Sequence, residues 1–434
     1  MLLEITNVAK ISSTTVSLNG ITVIAGDNNT GKSTVGKSLY CIFKAFYNSS
    51  EKLFLERKVN LASHIERYLQ KVIPIENRTS KSFFSIRIIR DSVAESLLSE
   101  GRVNSAEELS YLLIDIVNKY NAENTPKALL GLAESIQKSV AEGNDLFRQI
   151  LETISISDDA IQKIIISRCF INEFDGQLQH LNTPNKLSKV TLTIKEKTVS
   201  AEFKKLECHR VKEDINIVTE AIYIDTPFVI DDIDPFGHFG NDHRSALKQK
   251  LDFDSNNDIV NEAIGRKKVE RILGKISSVV DGKFIKDDSG VDSFTEKGIK
   301  QPVHLSNLST GLKTFVIIKR LIENGSIQEN GVLILDEPEI HLHPKWQLIF
   351  AAVLVLLQKE FNLNILLNTH SPYFLSAIEV FSAIHETTEK CKYYLSDLDE
   401  SGVIIKDVTD QTALIYSKLA EPLQSLENLR YQGE

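Results

Sequence analysis

The stretch GDNNTGKST at residues 26–34 constrains this chain more than any other part of it. It follows the apolar run ITVIA and precedes the helical-looking LYCIFKAF, so G-x-x-x-x-G-K-[ST] falls where a strand hands over to a helix. Gly26 and Gly31 allow a turn tight enough for backbone N–H groups, those of Asn28, Asn29 and Thr30 among them, to converge on phosphate oxygens. The helix that follows adds the positive end of its dipole. Lys32 is expected to reach the β- and γ-phosphates, Ser33 to place its hydroxyl on Mg²⁺, and Thr34 to assist beside it. A plain connecting turn would explain the glycines and asparagines, but not the flanking strand and helix as well.

The chain has 434 residues, 42% hydrophobic and 25% charged, which reads as a globular protein with one large core or two ordinary ones. Its longest strongly apolar run, IFAAVLVLL at 349–357, is about half of what a bilayer span needs. The first residues, MLLEITNVAK, lack a basic-then-apolar signal, so a cytoplasmic location without membrane contact is expected. Cys41, Cys169, Cys208 and Cys391 form no C-x-x-C pair, which argues against a disulfide framework or a zinc ribbon. A formal net charge of −9 argues against a uniformly basic surface for nucleic acid, while leaving room for one basic face. The clusters Arg57, Lys58, Arg67, Lys71 and Arg266, Lys267, Lys268, Arg271, Lys275 read as solvated helix faces.

Periodicity divides the chain. LLEIT, TVSL and ITVIA are short strand-like pieces leading into the phosphate loop. From about residue 35 to 175 apolar residues recur at spacings of 3 and 4, as in SAEELSYLLIDIVNKY and DAIQKIIISRCFINEF, which predicts helices. KVTLTIKEKTVSAEFKKLEC at 189–208 alternates around a polar break and predicts a hairpin. DIVNEAIGRKKVERILGKISSVV is helical in pattern, and GKFIKDDSG and IKQPVHL are strand-like. In the last third, VLIL and NILLN are short apolar runs separated by a helix, as expected of parallel strands buried on both faces. Both chain ends, residues 1–50 and 188–434, are therefore expected to build one nucleotide-binding domain, with 51–187 a mostly helical insertion.

VLILDEPE at 332–339 ends an apolar strand with carboxylates in series. Asp336 is expected to serve the Mg²⁺ held by the phosphate loop, and Glu337 to orient or deprotonate the water attacking the γ-phosphate. LSTGLK at 308–313 opens a helix with hydroxyls and free N–H groups, an anion site in its own right. His341 and His343 in EPEIHLHP lack further ligands nearby in sequence, so a metal site is not expected there.

The order GDNNTGKST, NLSTGLKT, VLILDEPE, NTHSP resembles the ABC-type AAA family ATPases, within them the RecF, SMC and OLD branch rather than transporters. The resemblance implies an α/β fold: an ABC-type P-loop NTPase head with a mostly parallel core sheet, an antiparallel β subdomain and a helical insertion. It implies that Ser309 and Gly311 cap the γ-phosphate held by an opposite protomer, and that His370 is a switch histidine on that phosphate. It further implies that EPEIHLHP lies between protomers and that Gln177 is a glutamine touching Mg²⁺. Two features depart from the family: Asn7 and Lys10 stand where an N-F-R-like turn is usual, and no aromatic residue precedes Tyr40 to stack on adenine.

ATP and Mg²⁺ are the cofactors so implied, sandwiched between the head-to-tail protomers of a homodimer or larger homo-oligomer. The stretch after His370 is short for the nuclease domain that OLD relatives carry, and Asp397-Leu398-Asp399 matches it in letters only. What remains is similar to the ATPase subunits of bacterial anti-phage systems of the Septu or retron-associated type, whose nuclease or toxin effector is separate. The alternatives are a RecF-like repair ATPase that binds duplex DNA, and a slow ATP-gated scaffold that sequesters a partner.

Overall fold

The computed structural model of the chain describes residues 1–73, 79–99, 105–123, 129, 131–141, 145–232, 240, 242–251, 269–286, 292–296, 298–399 and 402–432. They pack as two compact units, Met1–Tyr47 together with Lys163–Glu434, and Asn48–Gln162.

Among the described residues, the first unit has fourteen strands: β1 (Leu2–Val8), β2 (Ile11–Ser17), β3 (Ile21–Gly26), β4 (Ser188–Ile194), β5 (Lys197–Lys204), β6 (Glu207–Glu213), β7 (Ala221–Ile224), β8 (Gly282–Lys286), β9 (Asp292–Glu296), β10 (Val303–His304), β11 (Val332–Asp336), β12 (Asn364–Thr369), β13 (Cys391–Asp399) and β14 (Gly402–Asp407). Eleven of them form one sheet in the order β6-β5-β4-β1-β2-β14-β13-β3-β12-β11-β7, and β10-β9-β8 form a small antiparallel sheet. Strands β13, β3, β12, β11 and β7 pair in parallel throughout. From β2 to β6 the pairing is antiparallel. The α/β class, with a parallel core and an antiparallel wing, is as the motifs imply. The predicted hairpin is β4–β5, closed at Ile194↔Lys197, and β6 extends it.

Alternation sorts the core strands onto two faces. On one face Ile21, Val23, Leu333, Leu335, Ile365 and Leu367 meet Phe315, Phe350 and Phe374 from the helices Thr310–Glu323, Pro344–Phe361 and Pro372–Ile384. On the other, Ile24, Ile334 and Leu366 meet Val35 and Leu39 of the helix Lys32–Phe46. Strands covered on both sides can be apolar at every position, which is why β11 reads VLIL with no polar break.

The second unit is helical. Leu61, Ile65 and Leu69 recur every four residues on one helix and Ile86, Ile89 and Val93 at three and four on another, making its core. It is narrower than the stretch 51–187, because Ile166, Cys169 and Phe170 of the helix Asp158–Glu173 belong to the first unit's core, Phe170 lying 4.6 Å from Phe203. Arg57, read as part of a solvated face, instead donates to the Thr153, Ile154 and Ile156 carbonyls that end a helix and pairs with Asp158 at 2.8 Å. Residues 258–268 of the predicted helix, with Arg266, Lys267 and Lys268, lie outside the described residues; 269–277 are helical. All four cysteines are buried, and none is in a disulfide. Among the described residues, no helix is long and apolar enough to cross a membrane.

Parallel register aligns the carboxyl ends of the core strands. Ala25 faces Thr369, Asp336 faces Asn368, and Gly26 faces Ser396. This last pairing leaves Gly26 no room for a side chain: φ is +154°, and a Cβ would stand 2.0 Å from the Ser396 carbonyl oxygen. Gly26→Ala is expected to destabilise the first unit by more than about 2 kcal/mol, because backbone on both sides must shift. Urea denaturation of parent and variant measures this, and equal midpoints would refute it.

Candidate functional site

The loop after β3 wraps around its own lysine. Lys32 is 4% exposed, and its Nζ donates to the carbonyls of Gly26 at 3.0 Å and Asp27 at 2.7 Å. Gly31 stands at φ +86° ahead of the helix, Asn29 at +68°, and Thr30 Oγ donates back to Asp27 O at 2.8 Å. Ser396 on β13 clamps the loop through a 2.6 Å hydrogen bond to Thr30 O. Asn28 is exposed, and Thr34 sits in the first helical turn, where its N–H donates to Gly31 O at 3.1 Å. Lys10 Nζ donates to Asn29 Oδ1, so the residue standing in for the N-terminal arginine does reach this loop.

Glu337 faces Lys32. Its Oε1 is 3.7 Å from Lys32 Nζ and 3.4 Å from His370 Nδ1, so one carboxylate oxygen past the end of β11 is shared by two groups, one following β3 and one following β12. Glu337 stands at φ +48°, held by a 3.0 Å bond from its N–H to Asn368 O. Asp336 accepts from Asn368 Nδ2 at 3.0 Å and from the Tyr223 hydroxyl at 3.2 Å. A cavity of about 220 Å³ is lined by Ser33, Asp225, Thr226, Thr314, Asp336 and Glu337, among others. Ser33, Asp336, Glu337, Lys32 and His370 thus form one constellation. Gln177 does not line this cavity; it is exposed in the turn after Glu173, its N–H bonded to Phe174 O at 2.8 Å.

The LSTGLK segment is built differently. Ser309 is exposed at the start of the helix Thr310–Glu323, its carbonyl accepting from Lys313 N at 3.0 Å. Gly311 is buried, and a Cβ there would lie 2.9 Å from His341 O and 3.0 Å from the Trp346 ring. His343 caps the helix Pro344–Phe361 by accepting from Lys345 N, and the exposed His341 meets the edge of Phe228 at 5.6 Å. No group of three or more His, Cys, Asp or Glu among the described residues is arranged to hold a metal on its own.

A buried ionic cluster backs Asp336. His243 Nδ1 is 2.7 Å from Glu173 Oε1, its N–H donates to Glu173 Oε2 at 3.0 Å, and its Nε2 is 3.1 Å from Asp225 Oδ1. Arg244 grips the same Asp225 with two nitrogens. The Tyr223 ring stacks on His243 at 4.3 Å, and its hydroxyl reaches Asp336. Burial opposes charge on His243, yet the hydrogen bonds to Asp225 and Glu173 prevail and hold it up at about 9. Burial likewise opposes charge on Asp225, which His243 and Arg244 nonetheless hold well below the ordinary carboxylate range. Burial, with Asp336 beside it, pushes the Tyr223 phenol well above its ordinary value, so it remains a donor. Sequence patterning does not single out Tyr223, Asp225 or His243. The signal present is AIYID, an apolar run ending in an acid like VLILD.

A family model described as an AAA ATPase domain matches residues 1–375. Among curated proteins, one from Vibrio cholerae serotype O1 biovar El Tor described as "Retron Vc95 probable ATPase" is 28% identical over 151 residues, 30% of this chain and 29% of that one. The chain thus matches less than a third of that relative's length. Similar solved structures include the SMC head domain from Thermotoga maritima, with 11% identity, TM-score 0.38, and 94% of this chain and 98% of that one covered. An SMC head bound to the C-winged helix domain of ScpA has 11% identity and TM-score 0.42, covering 95% and 98%.

His243 makes stability depend on pH in one direction. Its folded value of about 9 lies above the unfolded 6.5, so the stabilisation is complete below pH 6.5 and lost as pH rises through 9. The amount is on the order of 3 kcal/mol. Denaturation midpoints should fall between pH 6.5 and 9.5 in the parent and stay flatter in His243→Gln; parallel profiles would refute the assignment.

Proposed function

Since the chain belongs to the AAA ATPase domain family, we propose that it binds ATP with Mg²⁺ at this constellation, hydrolyses it, and uses the cycle as a conformational switch. The observation that carries the reading is the shared Glu337 oxygen: a phosphate-loop lysine and the histidine just past β12 converge on the carboxylate that follows an apolar buried strand ending in Asp336. In the nucleotide complex Lys32 exchanges its own loop carbonyls for phosphate oxygens, and Glu337 receives the proton of the attacking water. His370 steadies that carboxylate and the γ-phosphate beside it.

The donor set at the cavity fits Mg²⁺, since Ser33 and Asp336 offer hard oxygens and leave the remaining positions to phosphate and water. Bound there, the ion would offset charge on the leaving phosphates. Gln177, exposed in the turn after Glu173, is a further candidate contact to Mg²⁺.

Ser309 and Gly311 supply the surface that a second protomer's nucleotide meets. Ser309 is exposed, and Gly311 owes its lack of a side chain to Trp346 and the His341 carbonyl, so the helix start stays close to the turn after Glu337. Two nucleotides closed between two head-to-tail chains make the dimer a switch that γ-phosphate holds shut and hydrolysis releases. The likeness to a retron ATPase supports a place in anti-phage defence, with a separate nuclease or toxin as the regulated effector.

Lys32→Ala should weaken ATP binding at least ~100-fold in equilibrium titration, from loss of a charge-assisted contact. Glu337→Gln should bind ATP normally, lower turnover about 10²- to 10³-fold, and accumulate as a closed dimer in ultracentrifugation. Equal turnover by Glu337→Gln and the parent removes Glu337 from this role. Mixing inactive Lys32→Ala with inactive Ser309→Ala chains should restore part of the activity, since one site of each mixed dimer is intact. No restoration means that the sites are not shared between chains.

A further inference from the structure

Glu339 is among the most buried carboxyl groups of the first unit, at 2% exposure, and the proposed chemistry does not use it. Its Oε1 accepts a hydrogen bond from the Thr369 hydroxyl and a longer one, at 3.4 Å, from the backbone N–H of His370. Thr369 Oγ in turn accepts from the N–H of Ser371 at 3.0 Å, so one carboxyl oxygen organises three consecutive residues around the histidine. Glu339 Oε2 has no hydrogen-bond partner among the described residues. Burial raises the carboxyl's pKa above its ordinary value, against the opposing pull of the Thr369 hydroxyl. A buried acid with one oxygen unpaired costs stability, and an apolar residue of similar volume would avoid that cost.

The location supplies a reason. The turn after β11 carries Glu337 at its start and the exposed Ile340 and His341 at its crest, and Glu339 lies between them. Two links join this turn to the end of β12: the Glu337 N–H to Asn368 O, and Glu339 to Thr369 and His370. The first fixes the backbone of the candidate base. The second fixes the backbone of the histidine whose Nδ1 is 3.4 Å from Glu337 Oε1. A displacement at the exposed crest therefore reaches His370 through a short, packed path. The Glu339 carbonyl takes part as well, accepting from Leu342 N at 2.9 Å and from Gln347 Nε2 at 3.4 Å.

We propose that Glu339 is a positioning residue: through Thr369 and the His370 backbone it sets the His370 imidazole against Glu337, so that pressure on the turn Ile340–His343 alters the Glu337–His370 contact. The proposal rests on the reading of Glu337 and His370 as the hydrolytic pair. Glu339 itself touches neither phosphate nor water in this role. Gln at 339 keeps an oxygen for Thr369 and His370, whereas Ala removes it.

The test uses the full chain in three variants, Glu339→Ala, Glu339→Gln and Thr369→Val, each with and without Glu337→Gln. ATP affinity by titration is expected to stay within about twofold in all three. kcat should fall at least about tenfold in Glu339→Ala and Thr369→Val, and recover in Glu339→Gln, a loss of the size seen when a catalytic group is misplaced. With histidines labelled, adding Glu337→Gln should move the His370 ring resonances in the parent and in Glu339→Gln, but not in Glu339→Ala. If Glu339→Ala keeps the parent's kcat and this resonance response, the proposal is overturned. If Glu339→Ala does not fold, Thr369→Val and Glu339→Gln decide in the same way. Failure of the underlying reading looks different: Glu337→Gln and His370→Ala would then leave kcat unchanged, while the resonance response still reports whether Glu339 sets the contact.

Discussion

The parallel pairing of β3 with β12 is the contact on which the rest depends. It puts Ala25 beside Thr369, so the loop beginning at residue 26 meets the histidine at residue 370 across one strand spacing. β11 on the far side of β12 then places Asp336 beside Asn368 and Glu337 one residue beyond. Each partner is distant in sequence, and each arrives at the carboxyl edge of the sheet because parallel strands keep their ends in step. Ligand sites of open α/β sheets gather at that edge for the same reason. The apolar helices on both faces hold this register, since a slip by one residue would exchange the two core faces.

The chemistry adds tension to this frame. Glu337 adopts a left-handed backbone, Lys32 is nearly buried, and Asp336 is backed by a stacked, doubly paired imidazolium. Groups of this kind cost free energy individually and persist where the surrounding packing over-determines them. The cluster of Glu173, His243, Asp225 and Arg244 does this for Asp336 by holding Tyr223 in place. The positions of Asp336 and of the helix end at Glu173 are thereby tied within one unit.

Much of this was legible in the sequence, and the exceptions have physical causes. GDNNTGKST, VLILDEPE and NTHSP each join a β-like run to polar residues whose chemistry is specific, so both local structure and the constellation could be read from them. Ala221–Ile224 was not read as a strand, since AIYI, unlike VLIL, has no motif of specific chemistry beside it, and its parallel pairing with β11 is what sets it in the sheet. His243 looks like an ordinary surface histidine until Glu173 and Asp225 close around it from elsewhere in the chain. Asp397-Leu398-Asp399, a nuclease-like pair in letters only, lies at the end of β13, where Asp397 pairs with Lys418 at 3.5 Å and Asp399 faces Gly402 across the hairpin. Gly26 was legible for one reason and required for two, since β13 leaves it no space.

That crowding at Gly26 has a bearing on how the molecule is made. β13 is synthesised long after the phosphate loop, and until Ser396 arrives the loop lacks both the strand that presses on its first glycine and the hydroxyl that holds Thr30. A nascent chain on the ribosome therefore carries the whole nucleotide motif without its outer wall. The wall of this loop is thus closed by a strand from the last part of the chain, as expected of a sheet whose neighbours are remote along the polypeptide.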